Sequence, residues 1–337
     1  MIAVVSARDD AGGWNDGSRL ATVESLVDRH TLAIDESIFV RSPAVADALN
    51  PYSPGNELLR AKGTQDKLFI AGHYYSDKSP LPAFWLAAWY QILQWLTGLT
   101  AREHPRLFCY GMTVVSSGMA YVLTAWSVWR LALRHQLPLA TCFLLTGSIS
   151  LATIALPYAR HVNNHILLLA VVALLMLALD QIGVRRQASG VRKMTAVPVL
   201  ARSPAVLAGS PDPASGGDRR SPVLLSAAAG TLAGVGYTID LGLGPVLLLC
   251  AALIVAYRAR SVVALVCFGL AAAPWPMAHH ALNYLTGGTL DPANSVAEYL
   301  TWPGSPFSAK NMTGGWAHHD LGHFLLYAAA LLYGKHG

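Results

Sequence analysis

Residues 74–93 read YYSDKSPLPAFWLAAWYQIL, and the change of character inside this stretch decides what fold the chain can form. Up to Lys78 the chain is polar. After Pro80 it becomes an apolar run carrying Trp85, Trp89 and Tyr90, aromatic residues of the kind that anchor a segment at the membrane interface. Crossing the hydrocarbon of a bilayer takes about 20 mostly apolar residues. Windows 81–100, 107–132, 137–156, 164–183, 222–241 and 262–281 meet that length, and 244–258 is shorter.

Composition agrees. Apolar residues make up 53% of the 337, charged residues 13%, and mean hydropathy is +0.40. Soluble domains carry roughly a quarter charged residues, so the chain is expected to be an integral membrane protein with an all-α fold, a polytopic transmembrane helix bundle. MIAVV at the start is too short for the apolar region of a signal peptide. It has the composition of the last turn of a helix, and the closing window, Phe324 to Tyr333, is about half a span, so a fragment of a longer enzyme, or a reading frame begun too late, is expected. Cys109, Cys142, Cys250 and Cys267 all fall in apolar windows and offer neither a disulfide framework nor metal spacing.

Cytoplasmic loops collect Lys and Arg. Residues 184–221 carry Arg185, Arg186, Arg192, Lys193, Arg202, Arg219 and Arg220 against Asp212 and Asp218, amid Pro, Ser, Gly and Ala, and read as a basic, disordered cytoplasmic loop facing anionic headgroups. Alternation from there puts turns 130–135 and 256–261 inside, and turn 158–165 and loop 282–322 outside. Residues 1–80 would then fall inside if window 81–100 crossed fully, although they hold eleven acidic residues to eight basic ones. Window 81–100 is therefore expected to cross incompletely, since Pro82 weakens its start and its Trp residues suit an interface. The organisation expected is an extracytoplasmic first loop over 1–80, transmembrane helices over 81–183, the basic loop 184–221, transmembrane helices over 222–281, an extracytoplasmic loop 282–322, and the start of a further helix over 323–337.

Within the first loop, Leu20, Val23, Leu26 and Val27 fall on one helical stripe, with Glu24, Asp28 and Arg29 elsewhere. Asp16 or Ser18 can cap this helix, and a single apolar stripe beside a membrane domain suits a helix lying on the bilayer surface. The next forty residues, with Pro43, Pro51, Pro54 and Gly55, read as an irregular loop that returns to the membrane at GHYYSDKSPLP.

Asp16-Gly17-Ser18-Arg19-Leu20-Ala21 ahead of that helix, with Tyr75-Ser76-Asp77-Lys78-Ser79-Pro80-Leu81 at the return, resembles the first extracytoplasmic loop of the C-type (GT-C) integral-membrane glycosyltransferases. The dolichyl-phosphate-mannose protein mannosyltransferases and the lipid A aminoarabinose transferases are the nearest in pattern. Their loop carries an Asp-Glu pair before an Arg-Tyr-Ala helix and returns through Tyr-x-x-Lys-Pro-Pro-Leu. Gly17 stands here in place of the Glu, and Ser79 in place of the first Pro. The likeness is tightest over residues 14–100.

The resemblance implies transfer of a sugar from a polyprenyl-phosphate-linked donor to an extracytoplasmic acceptor whose identity stays open, in a bacterial inner (plasma) membrane with the site facing outward. On that reading Asp16 is the catalytic base, and Arg19, Tyr75, Asp77 and Lys78 serve the substrate. Lys78 would meet the phosphate, with Asp77 positioning it and Pro80 and Pro82 fixing the chain entering the membrane. The polar turn from Tyr158 to His165 supplies Arg160 for phosphate and Asn164 and His165 for sugar hydroxyls. Asp240, at the end of window 222–241, is a further cavity candidate. Each has a plainer alternative: Asp16 as a helix cap, Lys78 as an interfacial anchor, the turn residues as solvent contacts.

His318, His319, Asp320 and His323 have spacing that would suit a divalent metal, without the glutamate of an HExxH motif, and Asn311-Met312-Thr313 fits a glycosylation sequon. No cofactor motif and no nucleic-acid patch is present, so membrane lipids and the lipid-linked donor are the expected partners. Two other functions compete: a transporter or flippase for a lipid-linked substrate, which should show internal repeats and polar groups at mid-membrane, and a non-catalytic membrane fragment.

Overall fold

The computed structural model describes residues 1–42, 49–194 and 221–307 together with Gly322, Leu325 and Leu326, and for 183–194 the backbone alone. The chain is mostly helical with one small hairpin. Four helical segments are long and apolar enough to cross a membrane: Pro105–Arg134, Asn164–Ile182, Pro222–Ile239 and Val262–Gly287.

The chain opens with α1 (Ile2–Ser6), then α2 (Trp14–Asp28) and α3 (Glu57–Lys62). Next comes an antiparallel hairpin of β1 (Lys67–Ile70) and β2 (His73–Ser76), registered with Lys67 opposite Ser76 and Ile70 opposite His73. Ala71 and Gly72 turn it with φ of 51° and 90°, the two positive values that suit the right-handed twist of a two-residue hairpin. This ordered segment replaces the irregular loop expected there. The signal was present as Ala-Gly between KLFI and HYYS, but Pro-rich surroundings hid it.

Helix α2 also differs from expectation. It is not a surface helix with one face in lipid: Asp16 through Ser25 are all buried. Glu24, off the apolar stripe, is fully buried, where its carboxylate pairs with Arg29 at 2.9 Å and accepts from Ser37 Oγ at 2.6 Å and Ile38 N at 3.1 Å. Residues 31–41 fold back over the polar side of the helix and supply the partners a buried carboxylate requires. Asp16 does not cap the helix either. Gly13 is the N-cap, and Asp16 reaches back from the first turn to accept from Gly12 N at 2.8 Å.

α4 (Leu81–Thr97) holds 17 residues, about 25 Å of helix, and lies beside α2. Tyr90 and Gln94 both donate to the Asp28 carboxylate, at 3.1 and 2.6 Å, and Tyr90 packs on Phe108 with ring centroids 4.6 Å apart. Its two ends therefore stay with the N-terminal unit: Leu81 follows Lys78, and the chain beyond Thr97 returns past Ala101 to Phe108 in the same core.

From there α5 (Pro105–Thr113), a π-helical turn (Val114–Gly118) and α6 (Met119–Arg134) form one long segment. α7 (Leu139–Leu151) and α8 (Ala155–Ala159) return, interrupted at 152–154. α9 (Asn164–Met194) runs back and carries the backbone of 184–194 on as helix, where loop was expected. α10 (Pro222–Ile239), α11 (Gly244–Ala259), α12 (Val262–Ala272) and α13 (Pro274–Gly287) complete the described bundle. At the end away from the N-terminal unit, Asp180 accepts from Arg134 at 2.9 Å and lies 4.0 Å from Arg258, which ties α6, α9 and α11 together.

Small residues let helices approach. Ser226, Gly230 and Gly234 repeat every four residues along α10 and face α12 and α13, so that a Cβ on Gly230 would run into the Phe268 carbonyl. In lipid, where apolar burial drives little association, such close backbone packing holds helices together. Beyond α13, residues 288–307 fold back onto the hairpin, where Leu300 packs with Leu68 and Ile70. Residues 195–220, the sequon at Asn311 and the cluster His318, His319, Asp320 and His323 lie outside the described residues.

Candidate functional site

The hairpin and the start of α4 carry YSDKSPL to the top of the bundle, against α2 and α13. Lys78 Nζ sits between two carboxylates, 2.7 Å from Asp77 Oδ2 and 3.1 Å from Asp66 Oδ2. Asp66, just before β1, stands in no motif of the sequence; the pairing of Lys67 with Ser76 brings it beside Asp77 and Lys78. Burial, and next the Asp77 charge, push its carboxyl above the ordinary value of 3.8 against the pull of Lys78. Ser18 Oγ ties α2 to this group, 2.6 Å from Ser76 Oγ and 3.3 Å from Asp77 Oδ1.

Arg19, one position along α2, is 6% exposed and bonded through Nε to Asn15 Oδ1 at 3.2 Å. It makes no close ion pair with a described carboxylate; Asp77, Asp16, Asp66 and Asp240 act on it from further away. Burial lowers its pKa and those four charges oppose the loss.

Two cavities meet at Lys78. The larger is lined by Tyr75, Ser76, Asp77, Lys78 and Ser79 from the hairpin return, and by His279, Asn283 and Thr286 from α13. The smaller shares Thr22, Ser76, Lys78 and Ser79 with it and adds Arg19 from α2. Of its other walls, Pro82, Leu86 and Leu167, but not Ala83 or Val162, also line a groove between α4, α6, α9 and α10, whose lining is almost wholly apolar. A cationic pocket thus shares its wall with an apolar groove between helices.

Of the residues singled out in the sequence, Arg19, Tyr75, Asp77 and Lys78 come together here. Asp16 lines neither cavity at Lys78. It is 7% exposed, with Oδ2 3.8 Å from His161 Nδ1, and burial raises its pKa while His161 and the Gly12 N–H oppose the rise. The polar side chains of the 158–165 turn meet the N-terminal segment, and only its Val162 lines the smaller pocket at Lys78. Arg160 O accepts from Arg8 N at 2.9 Å, His161 Nδ1 is 3.2 Å from Asp10 O, and His165 packs its ring on Tyr158 at 5.4 Å. Arg160 Nε and Asn164 Oδ1 are buried without a described hydrogen-bond partner. Arg19, rather than Arg160, is the second cation at the Lys78 cavity. Asp240 stops α10 and caps the turn after it, accepting from Gly242 N at 2.9 Å and Leu243 N at 3.0 Å.

His279 and His280 lie inside window 262–281 and Asn283 just past its end, within an apolar run that hides them in the sequence. Three polar side chains on a membrane-length apolar helix are a functional signal in their own right. His280 is tied down, its Nε2 2.7 Å from Tyr237 Oη and its Nδ1 2.6 Å from Leu290 O. Among the described residues no group of three His, Cys, Asp or Glu side chains is arranged to hold a metal ion. No family model, no curated protein and no solved structure matches this chain.

Proposed function

We propose that the protein is a membrane glycosyltransferase that takes a sugar from a polyprenyl-phosphate-linked donor. One observation carries the reading: the pocket holding Lys78 and Arg19 shares Pro82, Leu86 and Leu167 with an apolar groove bounded by membrane-length helices. A lipid phosphate has this division of character, a charged head joined to a long apolar chain. The prenyl chain lies in the groove. The phosphate reaches Lys78 and Arg19, where cations stabilise the charge that develops on a phosphate leaving group as the sugar departs. Asp16 lies one helical turn before Arg19 but lines neither pocket, so in this reading it serves the acceptor rather than the phosphate, and the upward pull of burial on its carboxyl suits a proton acceptor.

The test is binding and turnover with the full chain in bilayer nanodiscs. Replacing Lys78 or Arg19 with Ala should weaken polyprenyl-phosphate binding by about 1.5–3 kcal/mol, the worth of a hydrogen bond to a charged group, with melting temperature followed as a control. Asp16→Asn should abolish release of polyprenyl phosphate from the sugar-linked donor without weakening binding. Unchanged binding in both cation variants refutes the site. Transbilayer movement of the lipid without sugar transfer would make the protein a flippase.

A further inference from the structure

One wall of the larger cavity is not used by the reading above. Ser79 Oγ stands 2.9 Å from His279 Nδ1, and His279 Nε2 stands 3.0 Å from Asn283 Nδ2, one turn further along α13. These three residues line the same cavity as Asp77 and Lys78. His279 is 2% exposed and Asn283 6%, so water does not compete for the ring.

The direction of this chain follows from which atoms can donate. An amide nitrogen only donates, so His279 Nε2 must offer its lone pair, and the neutral ring then carries its hydrogen on Nδ1. A doubly protonated ring would set two N–H groups against each other at Asn283. The Nδ1–H donates to Ser79 Oγ, which leaves the Ser79 hydroxyl hydrogen to find an acceptor of its own. Among the described residues it finds none; the hydroxyl's one described partner is His279. The adjacent cation is Lys78, whose amine cannot accept.

We propose that Ser79 donates a hydrogen bond to a phosphate oxygen seated beside Lys78, and that Asn283, acting through His279, keeps its hydroxyl turned to that task. The inference rests on the lipid-phosphate reading and adds a neutral donor to the two cations. It also gives a role to a residue at which this chain departs from the loop it resembles, since a proline at position 79 would have neither a hydroxyl nor an N–H to donate. Ser79 only binds in this scheme; no bond to it forms or breaks. Asn283 and His279 are positioning residues.

Affinity for polyprenyl phosphate, measured on the full chain in phosphatidylcholine nanodiscs, should fall about tenfold or more in Ser79→Ala. Ser79→Thr, which keeps the hydroxyl, should restore most of it. Inorganic phosphate as competitor identifies the source of the anion. Displacement with the same dependence on Ser79 assigns the donor to a free phosphate ion, no displacement assigns it to the lipid head, and both results keep the donor. Lys78→Ala, measured in parallel, separates the two levels of inference. Loss in Lys78→Ala with unchanged binding in Ser79→Ala overturns the role of Ser79 alone, and no loss in either variant overturns the phosphate site itself. The ring supplies a readout independent of binding. The imidazole ¹⁵N signals that disappear in His279→Gln must report a proton on Nδ1 and a bare Nε2, and a proton on Nε2 overturns the proposal.

Discussion

Lys78 is held by Asp66 and Asp77 at 3.1 and 2.7 Å, so an arriving phosphate has to compete with two carboxylates for one amine. The weaker competitor is Asp66, whose carboxyl burial and the Asp77 charge already push upward. A phosphate beside it adds negative charge and draws Lys78 away, and both effects raise its pKa further. The bound state therefore holds a proton more tightly at Asp66 than the free state, so affinity must rise as pH falls through that range and decline as pH rises. For a phosphodiester donor, whose phosphate keeps one charge throughout, binding should strengthen as pH is lowered from 7. Asp66→Asn should bind more tightly at pH 7 and lose the slope. Isothermal titration at several pH values checks it, and a slope that survives Asp66→Asn would place the proton elsewhere. Lys78 and Asp77 were legible because they stand together in the chain. Asp66 was not, because only the pairing of Lys67 with Ser76 brings it to the same place. Gly17 shows a local departure with a spatial cause: a Cβ there would come 2.5 Å from Tyr52 Oη, so no carboxylate can stand beside Asp16 in this packing.

Helices long and uniformly apolar could be read from one dimension, and the windows at 107–132, 164–183, 222–241 and 262–281 correspond to the four membrane-length segments. Window 137–156 shrinks to the 13 residues of α7 plus a short α8, with Thr153 at the break donating its hydroxyl to Ile149 O and accepting from Ala155 N, side-chain bonds that compete with the helix. What a period cannot reveal is which polar residues will find partners inside. Glu24 and Asp28 follow a pattern that suits solvent, yet Ser37 and Ile38 meet the first and Tyr90 and Gln94 the second. Two glycines on packed helices separate spacing from packing. Gly230 on α10 faces the Phe268 backbone, whereas Gly269 on α12 faces open space. Gly230→Ala should destabilise the bundle by about 1–3 kcal/mol, the cost of overpacking against backbone that cannot yield. Gly269→Ala should be neutral or slightly stabilising, because alanine favours helix over glycine by about 1 kcal/mol. Denaturant unfolding in detergent micelles measures both, and equal effects would show that α10 and α12 are not in such close contact.

At the scale of the whole molecule, the placement of α4 decides the count of crossings. It lies along α2 with both ends in the N-terminal core, so α5 begins on the side where Lys78 is, and the next segment ends at Arg134 beside Asp180. Followed from there, the helices alternate: turn 160–163, turn 240–243 and residues 288–307 gather with the N-terminal unit, while turns 135–138 and 260–261 gather at the other end. The end near Asp180 carries Arg130, Arg134, Arg258 and Arg260, and the N-terminal unit is acidic in balance. If this charge asymmetry orients the protein, the Asp180 end faces the cytoplasm and the Lys78 cavities face out. Single cysteines test it in a background where Cys109, Cys142, Cys250 and Cys267 are replaced. Leu58 is an exposed site of the N-terminal unit and Pro303 one of the segment folded onto its hairpin, and Ser261 is exposed at the opposite end of the bundle. A membrane-impermeant thiol reagent added to intact cells should label cysteines at 58 and 303 and reach the one at 261 only after the membrane is opened. Labelling of 261 alone in intact cells would invert the orientation and leave the packing intact. Labelling of 58 without 303 would separate surfaces that the contact of Leu300 with Leu68 and Ile70 holds together, and so would count against the fold.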